Sequence, residues 1–234
     1  MRLLITRAAD EAAGFEAKLK APGYEVIIAP LLDIKLLPLP PVADADAIII
    51  TSKNALRAIE RSGWLKQAQH LPLFCPGPGT AELALSLGFT DIREAAGDAA
   101  GIPALVEAGR REFVINSIAY YCADETAFDM DAAVSALGIR LRKQIAYHVK
   151  PAPCLPANAV AEISASALDG VILLSPRTAA IYRLLVMQAG LEVQAARIPA
   201  YCISSNVAAK LDGLSPTHVA AAPTIGALLA LLQK

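Results

Sequence analysis

The side chains of this sequence with the clearest potential to bind a ligand are hydroxyl groups placed directly after apolar segments. Thr51 and Ser52 follow the apolar residues 47–50, and Ser175 follows residues 170–174. An apolar segment of this length predicts a buried strand, and a hydroxyl residue after it predicts the start of a helix. Each hydroxyl then has two possible roles. It caps the helix, or it joins the N–H groups of the helix in binding a carboxylate or phosphate.

A third turn of this kind has the sequence Pro-Gly-Pro-Gly-Thr at residues 76–80. Gly77 would let the backbone approach a ligand, and Thr80 is expected to cap the helix that follows. The turn lacks the Gly-Lys-Ser or Gly-Lys-Thr ending of a Walker loop, and it does not match G-x-G-x-x-G. Nucleotide binding therefore has no motif to support it.

Three basic residues and one tyrosine stand where a ligand of these turns would bind. Arg7, Lys53 and Arg177 lie beside the expected strand ends, so each either binds an anion or is a solvated surface charge. Tyr147 lies on a segment that links two parts of the chain. Its hydroxyl either reaches a cleft there, or its ring simply packs.

The remaining reactive residues argue against other classes of protein. The three histidines have no partners at metal or triad spacing, and the four cysteines, expected to be buried thiols, form no C-x-x-C pair. No metal site is therefore expected. A formal charge of −1 gives no general attraction to nucleic acid or to an anionic membrane. No apolar segment has the length of a membrane span or a signal peptide, which predicts a cytoplasmic protein.

The elements that must position these residues occur twice. Residues 46–89 and 169–213 each read as an apolar strand ending in a hydroxyl, a helix, a second apolar strand, a turn and another helix. With 234 residues, 55% of them hydrophobic, the chain is long enough for two such domains. The repeat predicts two similar α/β domains, with a cleft between them that is lined by strand-to-helix turns.

Outside the repeat, the chain opens with two further strands, expected at 3–6 and 26–29, and a helix expected at 11–20. An extended, proline-rich linker follows at 31–41. The matching return is at 139–156, where a strand runs into a second proline cluster.

Two proline-marked crossings predict that one domain is inserted into the other. Residues 1–35 with 153–234 would form a discontinuous terminal domain, and residues 38–148 would form the inserted domain. The two crossing strands are expected to pair as a short ladder. Such a ladder would act as a hinge, because paired strands restrict motion more than a free coil does.

The ordered motifs of the chain resemble those of the uroporphyrinogen-III synthase family. Each motif alone is weak, but the set follows the family's order and spacing over nearly the whole chain. The motifs are LLITR at 3–7, PLLDI at 30–34, IITSKNAL at 49–56, PGPGTAEL at 76–83, IAYHV at 145–149, LLSPRTAA at 173–180 and APT at 222–224.

The resemblance implies a fold and an activity. The fold consists of two similar parallel-sheet, flavodoxin-like α/β domains joined by a two-stranded β ladder, with the active-site cleft between them. The substrate would be hydroxymethylbilane, a linear tetrapyrrole polycarboxylate. The enzyme would close it to uroporphyrinogen III with inversion of ring D and loss of water, as a monomer and with no cofactor.

The resemblance also implies roles for individual residues. The family's functional positions correspond here to Thr51, Ser52, Thr80, Tyr147 and Ser175, with Gly77 shaping a turn. Tyr147 would help the terminal hydroxyl of the substrate to leave. Backbone N–H groups near Ser52, Thr80 and Ser175 would hold its carboxylates.

The sequence departs from the family pattern in two places. Ser204 and Val207 stand where a glycine and a threonine are usual, and residues 119–130 lack a glycine and an arginine that are common there. Two alternatives to the enzyme therefore stay open. One is a non-catalytic two-domain protein that binds a tetrapyrrole or another polyanion, and the other is a purely structural interaction domain.

Overall fold

The structure is a computed structural model that describes residues 1–7, 19, 23–41 and 44–233. The helix expected at 11–20 lies outside this part of the chain, except for Leu19. The chain divides into two compact units. The terminal unit comprises Met1–Asp33 and Lys150–Lys234, and the inserted unit comprises Ile34–Val149. Within the described residues, each helix is too short or too polar to span a membrane.

The described strands and helices alternate along most of the chain. The strands are β1 Arg2–Ile5, β2 Glu25–Ile28, β3 Leu32–Leu36, β4 Ala47–Ile50, β5 Leu73–Cys75, β6 Ile92–Glu94, β7 Ser117–Ala123, β8 Arg140–Pro151, β9 Gly170–Leu173, β10 Ala200–Cys202 and β11 Thr217–Val219. The α-helices are α1 Lys53–Arg61, α2 Leu65–Ala68, α3 Pro78–Ser86, α4 Ile102–Gly109, α5 Met130–Ser135, α6 Ala157–Ser164, α7 Pro176–Gln188, α8 Glu192–Ala195, α9 Ser205–Ala208 and α10 Ile225–Leu231.

The sheet of the terminal unit has the spatial order β2-β1-β9-β10-β11. Every neighbouring pair is parallel. Counted in chain order within the unit, the strands lie 2-1-3-4-5, which is the flavodoxin-like order. Leu3, Leu4 and Ile5 of β1 are fully buried, as expected for a central strand of a parallel sheet that is covered on both faces.

The sheet of the inserted unit has the order β3-β8-β7-β4-β5-β6, and its strands from β8 to β6 are parallel. Its five parallel strands match those of the terminal unit when β7 and β8 are placed on β1 and β2. Strands β4, β5 and β6 then fall on β9, β10 and β11, so the two sheets are circular permutations of one order. This explains why the sequence repeat covers only 46–89 and 169–213, and the parallel sheets confirm the predicted α/β class.

The two segments that cross between the units, β3 and β8, are neighbours in the sheet. The Leu37 N–H donates to Ala146 O at 2.9 Å, and the Ala152 N–H donates to Leu31 O at 2.9 Å. The pairing is antiparallel, because the partner number falls as the chain advances. The segment expected to be a linker therefore contains a strand, and the unit boundaries fall inside the paired strands.

The structure corrects smaller expectations about boundaries and cysteines. Strands β1 and β2 each begin one residue earlier than predicted, at Arg2 and Glu25, because the Glu25 N–H already donates to Met1 O at 2.9 Å. Cys154 is exposed, whereas the other cysteines are buried. It follows β8 in a proline-rich segment that is neither strand nor helix.

Gly170, at the start of β9, is a position where a side chain has no room. An ideal Cβ there would lie 2.5 Å from Cε2 of Tyr201, whose ring is stacked on His218 at 5.2 Å between centroids. We expect Gly170→Ala to lower the free energy of unfolding by about 1–3 kcal/mol, because the ring must shift in a packed core. Chemical denaturation measures this loss.

Gly226→Ala is the matched control for this substitution. Gly226 lies in α10, and a Cβ there would meet nothing within 4 Å. The variant should be as stable as the parent or more stable by up to about 1 kcal/mol, since alanine has a higher helix propensity than glycine. An equal loss of stability in both variants would contradict the packing explanation.

Candidate active site

A cavity of 210 Å³ opens at the carboxyl edge of the inserted sheet, between β4 and β7. After β4 the chain continues to β5 on one side, whereas after β7 it continues to β8 on the other. Such a change of direction leaves a crevice where ligands of α/β folds usually bind. The lining consists of Thr51, Ser52, Ala99, Tyr120, Ala123, Glu125, Thr126, Ala127, Phe128 and Tyr147.

Two predicted hydroxyl residues line one side of this cavity. Ser52 is the N-cap of α1, and its Oγ accepts the Asn54 N–H at 3.0 Å. The capping role is therefore observed, yet it uses only the acceptor side of the hydroxyl. The Ser52 O–H proton can still be donated to an anionic ligand, whereas the Thr51 hydroxyl is hydrogen-bonded to Tyr120.

Tyr147 reaches the same cavity from β8. Its side chain is only 7% exposed and belongs to the core cluster that contains Ala146 and Tyr121. A shift of register places Cys122 opposite Ile145 but Ala123 opposite Tyr147. The shift leaves Ala146 as an extra residue on β8. Because side chains alternate between the faces of a strand, this extra residue decides on which face of the sheet Tyr147 lies. The sequence left open whether Tyr147 packs in the core or reaches a cavity, and in the structure it does both.

The glycine-rich turn after β5, residues 76–80, lies beside the turn after β4 that contains Thr51 and Ser52, because β5 neighbours β4 in the sheet. A Cβ added to Gly79 would lie 3.2 Å from Cε and 3.4 Å from Nζ of Lys53. The ammonium group of Lys53 therefore lies over the backbone of Gly79. The side chains of Ser52 and Lys53 and the start of α3 are thus held near one edge of the inserted sheet.

One expectation about this turn needs correction. Thr80 does not cap α3: Gly77 is the N-cap, and Thr80 is the third helical residue, buried at 8% exposure. The reason is Pro78, whose fixed φ suits the first helical position and places the cap at Gly77, three residues before Thr80. Gly77 has φ of 179°, an extended value that any residue adopts, so its conformation does not require glycine.

In the terminal unit the corresponding change of direction lies between β1 and β9. Ser175 caps α7, since its Oγ accepts the Thr178 N–H at 3.1 Å, and this Oγ lies 2.7 Å from Thr178 Oγ1. Arg7 follows β1 and Arg177 is the second residue of α7, and both are exposed. The predicted residues of this unit therefore come from the ends of two neighbouring strands.

The departure at Ser204 and Val207 keeps the shape of the glycine turn. Ser204 is the N-cap of α9 with φ of −157° and ψ of 164°, close to the extended conformation of Gly77, but its side chain makes no capping bond. Val207 is the third residue of α9, the position that Thr80 holds in α3, and it is fully buried. The terminal unit therefore packs a methyl group where the inserted unit has a hydroxyl.

Sequence reasoning missed Tyr120, a second tyrosine of the cavity. Burial raises the pKa of Tyr120 to about 12, and a hydrogen bond with Thr51 opposes part of this shift. The phenol is therefore protonated at neutral pH and can donate a hydrogen bond. The signal for it was the Tyr120-Tyr121 pair in an apolar strand, since alternation sends the two rings to opposite faces. Tyr121 packs on Trp64 instead, at 5.3 Å between centroids.

The pair formed by Asp124 and His148, next to the cavity lining, was also missed. His148 Nδ1 lies 2.7 Å from Asp124 Oδ2, and this hydrogen bond lowers the pKa of Asp124 below its ordinary value. The ionised carboxylate is thus favoured by folding. Its contribution to stability is present at neutral pH and is lost as the pH falls through the lowered pKa. The two residues are 24 positions apart and meet only through the pairing of β7 with β8.

The arrangement suits binding of carboxylates and donation of protons. Helix N-termini, hydroxyl groups and the ammonium of Lys53 favour anions, and two phenols can serve as hydrogen-bond donors. Within the described part of the chain, no three or more His, Cys, Asp or Glu residues are grouped so that they could hold a metal ion.

Comparison with solved structures shows the same fold. The uroporphyrinogen-III synthetase of Helicobacter pylori 26695 superposes with a TM-score of 0.64 at 20% identity, over 100% of this chain and 99% of that chain. A mutant uroporphyrinogen III synthase of the extremely thermophilic bacterium Thermus thermophilus gives 0.55 at 13% identity, over 100% and 97% of the two chains. No curated protein matches the sequence.

A family model provides evidence that is independent of these superpositions. The model described as uroporphyrinogen-III synthase HemD matches residues 13–230, which is nearly the whole chain. The protein is therefore a member of the uroporphyrinogen-III synthase family.

Proposed function

We propose that this protein closes hydroxymethylbilane to uroporphyrinogen III, with inversion of ring D and loss of water, as a lyase of porphyrin and haem biosynthesis. The family match over residues 13–230 carries the proposal. The chemistry of the cavity in the inserted unit agrees with it, because the substrate is a polyanion and the lining offers hydroxyl donors beside a helix N-terminus.

The reaction consists of loss of a hydroxyl group and closure of a ring. The lone pair of a pyrrole nitrogen of the bilane expels the terminal hydroxyl, which is protonated and leaves as water. An azafulvene cation remains. Ring D then attacks through its substituted carbon and forms a spiro intermediate that rearranges. Spontaneous closure uses the free carbon and gives the uninverted type I isomer. The protein therefore acts mainly by holding one geometry of the bilane.

Tyr147 is our candidate for assisting the departure of the hydroxyl. It is buried, it lines the cavity, and a phenol can donate a proton or a hydrogen bond to the leaving oxygen. Tyr120 places a second protonated phenol in the same lining, held by Thr51.

The remaining residues would bind the carboxylates of the substrate. In the inserted unit these are Thr51, Ser52, Lys53 and Thr80 at the helix starts, with Gly77 as the cap of α3. In the terminal unit they are Arg7, Ser175 and Arg177. We further propose that the protein acts as a cytoplasmic monomer, without a cofactor and without binding nucleic acid or membranes.

The second candidate function is a non-catalytic protein that binds a tetrapyrrole or another polyanion. Burial of Val207 where the matching helix start has Thr80 favours it, since one polar contact is missing in the terminal unit.

Product analysis separates these functions. Purified protein is mixed with freshly generated hydroxymethylbilane, and the oxidised products are separated by isomer. Predominant type III product supports the synthase, because uncatalysed closure does not invert ring D. Type I product at the blank rate contradicts the synthase. If the protein then still binds the bilane, the binding function stands, and if it binds no polyanion, the structural role stands.

Tyr147→Phe should lower kcat for the type III isomer by about tenfold to hundredfold and leave KM nearly unchanged, because the phenol acts on the leaving group rather than on a carboxylate. Steady-state rates with isomer separation measure both values. Tyr182→Phe is the control. It removes the hydroxyl of a fully buried tyrosine that has no hydrogen-bond partner among the described residues. Equal rates in Tyr147→Phe and the parent would remove Tyr147 from the mechanism.

Ser52 has a capping role and a proposed binding role, which two substitutions separate. Ser52→Ala should lower the free energy of unfolding by about 1 kcal/mol, whereas Ser52→Gly should cost only a few tenths, since glycine is tolerated as an N-cap. Both lose the hydroxyl, so both should raise KM by about fivefold, the equivalent of one hydrogen bond. A KM that rises in Ser52→Ala but not in Ser52→Gly would show that the hydroxyl acts only as a cap.

A further inference from the structure

We propose that Asp124 is a positioning residue that fixes Tyr147 and the adjoining wall of the cavity. Its effect on structure stands independently of the proposed function, whereas its effect on catalysis rests on that function. The observation behind the proposal is that Asp124 bonds to three successive residues of β8.

The contacts of Asp124 use both its backbone and its side chain. Its N–H donates to Tyr147 O at 3.3 Å, and its Oδ2 lies 2.7 Å from His148 Nδ1. The carboxylate also accepts the Val149 N–H. In the other direction, its Oδ1 accepts the Glu125 N–H at 3.1 Å. One carboxylate therefore joins β8 to the start of the segment that follows β7.

This junction lies where the β7–β8 ladder ends. The last matched pair is Ala123 with Tyr147, and it follows the shift of register after Cys122. Residues 124–129 form neither helix nor strand, yet Glu125, Thr126, Ala127 and Phe128 line the cavity. Asp124 is the first residue after β7. Its bonds to Tyr147, His148 and Val149 connect the lining segment to β8 past the last matched pair of the two strands.

Loss of the carboxylate should therefore change two things together. The lining segment keeps the bond from the Asp124 N–H to Tyr147 O but loses the side-chain bonds to His148 and Val149, and the backbone next to Tyr147 loses the same two bonds. A small displacement of a catalytic group is enough to reduce a rate strongly, because the reacting atoms must be held in one geometry. Asp124 does not line the cavity itself, so it acts through Tyr147 rather than on the substrate.

The structural arm of the test uses protein labelled with ¹³C in its six tyrosine rings, with the Tyr147 signal assigned by its loss in Tyr147→Phe. Asp124→Ala should shift or broaden the Tyr147 signal. Asp124→Asn, which keeps one acceptor oxygen, should shift it less. The matched control is Asp129→Ala, at the other end of the segment. It removes a carboxylate that caps α5 by accepting the Ala132 N–H at 3.0 Å. An unmoved Tyr147 signal in a folded Asp124→Ala protein overturns the proposal.

The catalytic arm is a double-mutant cycle read by the rate of type III formation. Asp124→Ala should reduce kcat by about tenfold in the parent and by less than about twofold in the Tyr147→Phe background, since its effect passes through Tyr147. The same reduction in both backgrounds overturns the catalytic role. Absence of type III product from the parent refutes the proposed function instead, and the tyrosine signals then decide whether Asp124 positions Tyr147.

Discussion

The constraint on which the rest of the site depends is the parallel pairing of β4 with β7, in register from Ala47 with Ile118 to Ile50 with Tyr121. Parallel strands end at the same edge, and the chain leaves these two in opposite directions. The crevice that results receives the start of α1 from one strand and the segment after Ala123 from the other. Hydroxyl groups, helix N–H groups and two phenols therefore meet in a cavity without any long loop to carry them.

The same constraint explains why much of the fold was predictable from the sequence. Short apolar strands that end in hydroxyl residues indicated the strand-to-helix turns, and capping by Ser52 and Ser175 follows from residue type. The sequence repeat predicted two related sheets. Their relation by circular permutation was not predictable, because it depends on where β7 and β8 pair, and the apolar pattern of β7 suits any buried strand of a sheet.

The site itself was less predictable than the fold. Residues that follow strands could be predicted to lie at the sheet edge, and Tyr147 was predicted through the family resemblance. Tyr120 and Asp124 were missed, because Tyr120 is selected by alternation along β7 and Asp124 meets His148 only after β8 is in register. The glycine-rich turn shows an error of another kind, since its motif predicts a helix cap at Thr80, whereas Gly77 is the N-cap and Pro78 is the first residue of α3. Sequence patterns thus report local preferences, while the cavity depends on pairs that are distant along the chain.

We propose that the cavity between β4 and β7 binds part of the tetrapyrrole. The most direct measurement is the change in backbone amide NMR signals of ¹⁵N-labelled protein when uroporphyrinogen III is added under reducing conditions. We expect the largest changes at Thr51, Ser52 and residues 123–128, with a further change at Tyr147. Saturable binding that leaves all of these signals in place would contradict it.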